Sequence, residues 1–261
     1  MSHGPTQDQE WAGPDETLDE LRLGGLKIIQ GRKGYRFSLD PVLLCAFASI
    51  GEGEAVADLG TGSGVIPLVV ARRTGADRVL GIEIQRVLAD RARRSVRLNG
   101  LEGRVEILEG DLRGLREELE PRSFDVVLAN PPFRRSGTGR HAPTAERAMA
   151  RHELAGGLED FLGAAAYLLP EGGRFYIVFL AERLAELLSL MGRARLEPRR
   201  LRCVHPRQGE EARMVLVEGR KGGGSGLVVM PPLVIYGGPG REYSPEVLAI
   251  YGGKAPDGAP G

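Results

Sequence analysis

Short apolar segments alternate regularly with longer amphipathic segments along the chain from residue 55 onwards. The short apolar runs predict buried strands, and the longer segments, with apolar residues three or four positions apart, predict helices. Strict alternation of the two predicts right-handed crossovers and a mostly parallel sheet with helices on both faces, a doubly wound α/β fold. The predicted elements are 55–59, 65–73, 78–84, 86–99, 105–108, 124–129, 158–169, 174–180 and 181–193.

Other apolar segments predict two antiparallel hairpins outside this alternation. Residues 201–204 and 214–217 are strand-like and are joined by a short polar loop, which predicts a hairpin at one edge of the sheet. Residues 26–30 and 35–37, on either side of a Gly-containing turn at 31–34, predict a second hairpin near the N-terminus.

A helix is predicted to follow this N-terminal hairpin. Ser or Asp caps a helix N-terminus and Pro fits its first turn, so Ser38, Asp40 and Pro41 mark a helix start, and the apolar residues 42–50 form its buried face. Four regions result. They are a flexible acidic tail at 1–17, a hairpin and helix at 18–50, the α/β core at 51–219 and a Gly/Pro-rich C-terminal extension and tail at 220–261.

The composition is that of an ordinary globular protein. Of 261 residues, 42% are hydrophobic and 27% are charged, and 35 basic residues balance 35 acidic ones. A net charge of zero gives no overall field that would draw the protein to nucleic acid or membranes. Locally the charge is uneven, because residues 1–20 hold six acids and no Lys or Arg, whereas residues 134–151 hold five Arg against one Glu.

The cysteines and the hydropathy of the chain indicate the cellular compartment and whether a metal or a membrane is to be expected. Cys45 and Cys203 each lie in an apolar run, so there is neither a disulfide framework nor the spacing of a metal site. The N-terminus lacks the basic-then-apolar layout of a secretion signal, and no apolar run approaches the ~18 residues that span a bilayer. We expect a cytoplasmic protein with no metal and no membrane contact.

A glycine-rich loop follows the first strand of the α/β core. It runs Asp58-Leu59-Gly60-Thr61-Gly62-Ser63-Gly64 and leads into the next helix. Closely spaced glycines allow backbone to approach a ligand at the carboxyl end of a strand, where open α/β sheets bind ligands. The spacing Gly-x-Gly-x-Gly differs from the dinucleotide pattern Gly-x-Gly-x-x-Gly, so a nicotinamide site is less favoured; a tight turn without a ligand is the other alternative.

Two acids follow the next two strands. Glu83 ends the second strand, 19 residues after Gly64, where this fold binds a ribose diol with a carboxylate. Asp111 follows the third strand, on the same rim of the sheet. Its carboxylate can accept a hydrogen bond from an adenine amino group or cap a helix running toward Leu119, and the two roles are compatible.

The tetrapeptide Asn130-Pro131-Pro132-Phe133 directly follows the apolar strand 124–129. Two prolines hold the chain extended and remove two N–H donors, which leaves carbonyls that can face a pocket. The Asn130 oxygen and a main-chain carbonyl could together accept both hydrogens of an amino group, and Phe133 could stack on a planar base. A plain β-turn is the alternative.

These segments resemble the class I S-adenosylmethionine-dependent methyltransferases of the Asn-Pro-Pro-Phe/Tyr type, which have them in the same order. The segments are DLGTGSG at 58–64, IEI at 82–84, GDL at 110–112 and NPPF at 130–133. Within that class, YRFSLDPVLL at 35–44 and ARHE at 150–153 resemble the bacterial tRNA1(Val) adenine-37 N6-methyltransferases. The resemblance implies a Rossmann-like sheet of seven strands, S-adenosyl-L-methionine as cofactor, and N6-methylation of an adenine in a tRNA anticodon loop.

The resemblance also implies a role for each matching residue. The cofactor-binding residues would be Asp58, Gly60, Gly62, Gly64 and Glu83 around the methionine and ribose parts, with Asp111 near the adenine. The catalytic residues around the target amine would be Asn130, Pro131, Pro132 and Phe133. The substrate-binding residues would be Tyr35, Arg36, Phe37, Ser38, Asp40, Arg134, Arg135, Arg151 and His152.

Arginines beside the NPPF segment suit an RNA substrate. Arg134, Arg135 and Arg140 flank glycines in a loop that could contact phosphates and a splayed base, or could simply be solvated. His152 is interpreted as structural or RNA-contacting, because displacement at a sulfonium methyl depends on alignment more than on a base. A second group could extend the RNA track or form a solvated face; it comprises Arg193, Arg195, Arg199, Arg200, Arg202 and Arg207.

Several other functions use similar residues. A ribosomal RNA guanine-N2 or adenine-N6 methyltransferase and a protein glutamine methyltransferase would use the same tetrapeptide, although the last class usually has a larger N-terminal helical domain. A non-catalytic RNA-binding module on this scaffold and a dehydrogenase fit less well, because neither needs NPPF. The sequence determines neither the RNA species nor the oligomeric state.

Overall fold

The computed structural model describes residues 11–21, 23–33, 38–132 and 156–252. The strands in these ranges are β1 Glu16–Glu20, β2 Lys27–Gly31, β3 Ala55–Leu59, β4 Arg78–Glu83, β5 Val105–Glu109, β6 Val126–Ala129, β7 Arg174–Leu180, β8 Leu196–His205, β9 Met214–Lys221, β10 Val228–Val229 and β11 Leu233–Val234. The helices there are α1 Asp40–Phe47, α2 Val65–Arg73, α3 Arg86–Leu98, α4 Leu158–Leu168, α5 Leu184–Arg193 and α6 Pro245–Ile250.

A twisted central sheet confirms the doubly wound α/β prediction. The strand order is β10-β8-β9-β7-β6-β3-β4-β5, and β11 also pairs with β8. Strands β3 to β7 are mutually parallel, whereas β9 runs antiparallel to both β7 and β8. The predicted seven strands are therefore present, and two-residue strands β10 and β11 bring the sheet to nine among the described residues.

The two faces of the sheet are covered by separate hydrophobic clusters. One cluster includes residues of α1, α2, α3 and α6, for example Leu44, Leu68 and Val247. The other includes residues of α4 and α5, for example Phe161 and Leu187. Because both faces are buried, the central strands have almost continuous apolar sequences, which is the pattern from which the fold was predicted.

The segment after β5 does not form the helix toward Leu119 that the sequence left open. The segment contains only a 3-10 turn at Leu115–Glu117, and its N-cap is Gly114. Asp111 instead accepts a hydrogen bond from the Arg113 N–H at 2.9 Å, which closes a local turn without starting a helix. The cap predicted for α1 also differs, because Leu39 is the N-cap and makes no side-chain cap bond, although Pro41 lies in the first turn as expected.

The N-terminal hairpin has a different partner from the predicted one. β2 pairs antiparallel with β1, which lies before it in the chain, and the predicted arm at 35–37 lies outside the described residues. The acidic tail therefore ends earlier than predicted, since β1 starts at Glu16 and residues 11–15 are already described. Polar side chains of α3 hold β2: Ser95 accepts from the Ile29 N–H at 3.0 Å, and Asn99 accepts from the Lys27 N–H at 3.0 Å.

Residues 220–252 of the predicted C-terminal extension contain β10, β11 and α6, whereas the predicted tail after them lies outside the described residues. Strand β9 continues to Lys221, and Val247 of α6 is fully buried. Arginines of β8 and the loop after it donate to carbonyls of the Gly/Pro-rich segment: Arg199 to Gly224, Arg202 to Pro231 and Arg207 to Gly240. These bonds hold the segment against the sheet together with its buried apolar side chains Leu233, Ile235 and Val247.

Two further expectations from the sequence concern the cysteines and membrane-spanning helices. Cys45 and Cys203 are both free thiols. No helix within the described ranges combines the length and the apolar character that crossing a membrane requires.

The ion pairs of Glu16 should make stability depend on acid pH. Arg91 and Arg94 each donate to the Glu16 carboxylate at 2.8 Å, and Arg94 in particular lowers the pKa of Glu16 from 4.5 to about 2. Since the folded pKa is below the unfolded one, the stabilisation is complete above about pH 5 and is lost as the pH falls toward 2.

We therefore expect Glu16→Gln to lose ~1–3 kcal/mol of unfolding free energy at pH 7 and much less at pH 3. Urea denaturation at both pH values measures this difference. Glu20→Gln is the matched control, because Glu20 lies in the same strand and is exposed. Equal losses for Glu16→Gln at the two pH values would contradict the assignment.

Candidate active site

Four parallel strands end at the same level and bring the predicted cofactor-binding and catalytic segments to one edge of the sheet. Leu59 of β3 lies opposite Ala129 of β6 and Ile82 of β4, and Glu83 lies opposite Glu109 of β5. The residues that follow these pairs therefore meet at the carboxyl edge, where open α/β sheets bind ligands. They are Gly60, Glu83, Gly110 with Asp111, and Asn130.

The glycine loop needs glycine at three positions for backbone reasons. Gly60, Gly62 and Gly64 have φ values of 69°, 57° and 90°, in the left-handed region that side chains rarely adopt. A Cβ on Gly60 would lie 3.1 Å from the Phe161 ring, and one on Gly64 would lie 3.1 Å from Ala92. A Cβ on Gly62 would meet no atom within 4 Å, so this part of the loop faces open space that a ligand can enter.

Asp58 and Thr61 are buried polar residues whose side-chain oxygens lie close to each other but lack a well-formed hydrogen bond. Asp58 is 1% exposed, and neither of its carboxylate oxygens has a hydrogen-bond partner. The Thr61 hydroxyl oxygen, between Gly60 and Gly62, is also buried and unpartnered. Burial raises the pKa of Asp58 to about 8; the nearby Thr61 hydroxyl opposes the rise, and the charge of Glu83 adds to it. Unsatisfied buried groups at a ligand-binding edge indicate that a ligand completes them.

Glu83 fastens the glycine loop to the end of β4. One carboxylate oxygen accepts from the Gly62 N–H and the other from the Gln85 N–H, both at 2.8 Å. Glu83 is 4% exposed, and burial raises its pKa while these backbone N–H groups oppose the rise. The carboxylate is thus fixed in position at the loop, where a ribose diol would lie.

Asp111 lies on the same rim but is more exposed, with a side-chain exposure of 37%. Its carboxylate pairs with Arg113, which lowers its pKa. Of the two roles left open by the sequence, the helix cap is excluded, and a role toward a ligand remains.

Asn130 supplies a third unsatisfied group at this edge. Its side-chain oxygen is buried and has no hydrogen-bond partner. Pro131 is buried and Pro132 is partly buried, so the chain leaves β6 through two residues that have no N–H to donate. This corner therefore offers hydrogen-bond acceptors and suits a ligand group with hydrogens to give.

The predicted substrate-binding residues are only partly described. Ser38 donates to Asp40 at 2.7 Å at the start of α1, and burial raises the pKa of Asp40. The others, together with catalytic candidate Phe133, lie outside the described residues; they are Tyr35, Arg36, Phe37, Arg134, Arg135, Arg151 and His152.

The second arginine group does not form a free basic track. Each of its members is engaged within the protein: Arg193 pairs with Glu159, Arg195 with Glu171, Arg200 with Glu218, Arg202 with Glu246 and Arg207 with Glu210, and Arg199 donates to two carbonyls. Of the two interpretations left open by the sequence, a solvated face is favoured, in which the arginines pair with neighbouring acids and carbonyls.

The structure adds three site residues that the sequence analysis missed. Thr61 lies inside the glycine motif, so its position was a signal. Phe161 of α4 packs against Gly60, and Cys45 of α1 lies near enough to Asp58 for the carboxylate, after burial, to raise the thiol pKa. Neither Phe161 nor Cys45 differs in sequence from an ordinary core residue. In the described part of the chain, no group of three or more His, Cys, Asp or Glu could hold a metal ion.

Comparison with known proteins agrees with this geometry. The methyltransferase small domain family matches residues 41–191. This range contains the residues at the carboxyl edge of the sheet, Gly60, Glu83, Gly110, Asp111 and Asn130. A tRNA1(Val) (adenine(37)-N6)-methyltransferase of Porphyromonas gingivalis is 34% identical over 71% of this chain and 74% of the relative. One of Aeromonas hydrophila with the same name is 30% identical over 84% of this chain and 89% of the relative.

A solved structure is also similar over most of the chain. It is a predicted O-methyltransferase, protein Atu636 of Agrobacterium tumefaciens, with a TM-score of 0.67 and 27% identity. The match covers 83% of this chain and 97% of that one.

Proposed function

The chain belongs to the methyltransferase small domain family, which makes it an S-adenosylmethionine-dependent enzyme, and we propose that its substrate is tRNA. The proposed reaction is transfer of the methyl group to N6 of an adenine in the anticodon loop, as in the names of its relatives. The observation that supports an amine target is the buried, unpartnered oxygen of Asn130 beside the glycine loop.

The described residues fit the methyl donor. Asp58 would face the cationic amino group of the methionine part, because its two oxygens are buried without partners. Glu83 would accept the ribose hydroxyls at the tip of β4, and Asp111 would accept from the adenine amino group. The open space beside Gly62 would admit the chain between these parts.

The target amine would bind at Asn130, Pro131 and Pro132. The Asn130 oxygen and a main-chain carbonyl would accept the two amino hydrogens, which turns the nitrogen lone pair toward the sulfonium methyl group. When bound there, S-adenosylmethionine would supply the methyl group, and transfer to the nitrogen would break the bond of the methyl carbon to sulfur and move the positive charge from sulfur to nitrogen. The methylated nitrogen loses a proton to water, so no side chain is assigned as a base.

The arginines of 134–151 are the proposed phosphate contacts, because the arginines after α5 are engaged within the protein. A tRNA substrate implies that the enzyme acts in the cytoplasm. The similar protein from Agrobacterium tumefaciens, named a predicted O-methyltransferase, suggests a hydroxyl target as a second candidate. A hydroxyl has one hydrogen to donate, which matches a corner built of several acceptors less well than an amine does.

The test is methyl transfer from labelled S-adenosylmethionine to total tRNA, ribosomal RNA, DNA and protein in parallel. We expect label in tRNA, and mass spectrometry of the nucleosides should identify it as N6-methyladenosine. Label confined to ribosomal RNA, DNA or protein would overturn the substrate proposal and keep the methyltransferase. Label at a hydroxyl group would favour the second candidate.

Cofactor binding should release a proton near neutral pH. Asp58 has a pKa of about 8 without a ligand, and a nearby ammonium group favours its ionised form. Because the bound pKa is lower than the free one, affinity should rise with pH up to about 8, by at most about tenfold per pH unit.

Calorimetry with S-adenosylhomocysteine in buffers of different ionisation enthalpy counts this proton. Asp58→Asn keeps the shape of the side chain and cannot ionise, so it should release no such proton and should have a flatter pH profile. The same proton count in wild type and Asp58→Asn would assign the proton to another group.

A further inference from the structure

Both oxygens of the Asp111 carboxylate are engaged by one residue. The Arg113 N–H donates to Oδ1 at 2.9 Å, and Nε donates to Oδ1 at 2.9 Å and to Oδ2 at 3.0 Å. Nη2 donates to Oδ2 at 2.5 Å. Nε has one hydrogen, which it shares between the two oxygens, so Arg113 places three hydrogens against the roughly four lone-pair sites of the carboxylate and leaves little room for another donor.

An adenine amino group can therefore bond to Asp111 without competition only if the Arg113 side chain withdraws. This exchange is feasible because the pair is at the surface, with side-chain exposures of 49% for Arg113 and 37% for Asp111. The bond from the Arg113 main-chain N–H does not depend on the side chain. It would keep the carboxylate oriented while the guanidinium moves.

A cavity beside the pair offers Arg113 a second position. It has a volume of about 230 Å³ and lies between residues 112–116 and helix α4. Its lining includes Arg113, Asp160 and Tyr167. The negative charge of Asp160 acts on the Arg113 guanidinium and, after Asp111, helps to raise its pKa. An acid on the opposite wall can thus receive the arginine.

We propose that Arg113 competes with the adenine of the cofactor for Asp111, and that it turns toward Asp160 when the adenine binds. The inference rests on the proposed function, which places the adenine at Asp111. If Arg113 occupies Asp111 in some of the molecules, only the remaining fraction is ready to bind the adenine. The measured affinity for every adenine-containing ligand is reduced to that fraction of its intrinsic value. The demethylated product carries the same adenine, so the competition would also favour its release after each turnover.

Arg113→Ala should consequently bind S-adenosylhomocysteine more tightly than wild type, by about two- to fivefold, the range expected for an exposed ion pair. Calorimetry measures this directly. Arg116→Ala is the matched control, because Arg116 lines the same cavity and stacks on Tyr167. It should leave the affinity unchanged. In an Asp111→Ala background, Arg113→Ala should also have no effect.

A second ligand separates competition from a general effect of charge or space. S-inosylhomocysteine lacks the adenine amino group, so Arg113→Ala should gain no affinity for it. An equal gain for both ligands, or an unchanged or weaker affinity for S-adenosylhomocysteine, would overturn the role of Arg113. Failure of the wild-type protein to bind S-adenosylhomocysteine at all would instead overturn the proposed function.

Discussion

Asn130→Ala should lower the rate of methyl transfer by about 10²-fold or more at saturating cofactor, with cofactor affinity nearly unchanged. The Asn130 oxygen is buried and unpartnered, so its proposed bond forms only with the target amine. An interaction that orients the nucleophile mainly in the transition state affects turnover more than binding. The measurement is single-turnover methylation of tRNA beside calorimetry with S-adenosylhomocysteine.

The Asn130→Ala variant should fold normally, because the side-chain oxygen that it removes has no hydrogen-bond partner in the protein. Thermal denaturation should therefore match wild type, which separates loss of chemistry from loss of structure. Asn99→Ala is the contrasting variant, since Asn99 bonds to the main chain of Lys27 and is not one of the residues at the carboxyl edge of the sheet. It should reduce stability and leave turnover per folded molecule intact. A parallel loss of cofactor affinity in Asn130→Ala would place Asn130 in the cofactor site instead.

The central sheet and the arrangement of its edge follow from local sequence patterns. Strands β3 and β7 and helix α2 have the predicted bounds, because each strand is buried on both faces and residues 65–71 of the helix form a continuous buried run. Parallel strands of similar length end at the same level. The sequence alone therefore predicts that Asp58, Glu83 and Asn130 lie at one edge of the sheet.

The two ends of the chain were predicted less well, because distant residues hold them. The acidic segment at 15–20 has the composition of a solvated tail, yet Glu16 bonds to Arg91, 75 residues later. The extension is rich in Gly and Pro, and arginines of β8, distant in sequence, supply bonds to its carbonyls. Such pairs depend on tertiary placement, and no spacing along the chain reveals them.

Details within the site were hidden for a related reason. The helix cap, one of the two roles that the sequence left open for Asp111, does not form, and Arg113, two residues later, bonds to its carboxylate. The unsatisfied oxygens of Asp58 and the raised pKa depend on burial by surrounding elements, which sequence does not quantify. Sequence thus identified which groups meet at the edge, and the structure determined which of them are still free to bind a ligand.

Glu83→Ala should weaken S-adenosylhomocysteine binding by ~10- to 100-fold, or about 1–3 kcal/mol, because two consequences combine. The ribose hydroxyls lose their acceptor, and the Gly62 N–H loses the bond that fastens the glycine loop to β4. Calorimetry should show no comparable loss for Glu109→Ala, the control acid, which lies opposite Glu83 on β5 and is exposed.

A 2′-deoxy analogue of S-adenosylhomocysteine separates the two consequences of losing Glu83. The wild-type protein should prefer the parent ligand over this analogue, because the proposed diol contact requires both hydroxyls. In Glu83→Ala that preference should disappear, whereas loosening of the loop alone would weaken both ligands equally and preserve it. A preference of unchanged size in the variant would therefore remove the ribose from Glu83 and leave the residue only its bonds to Gly62 and Gln85.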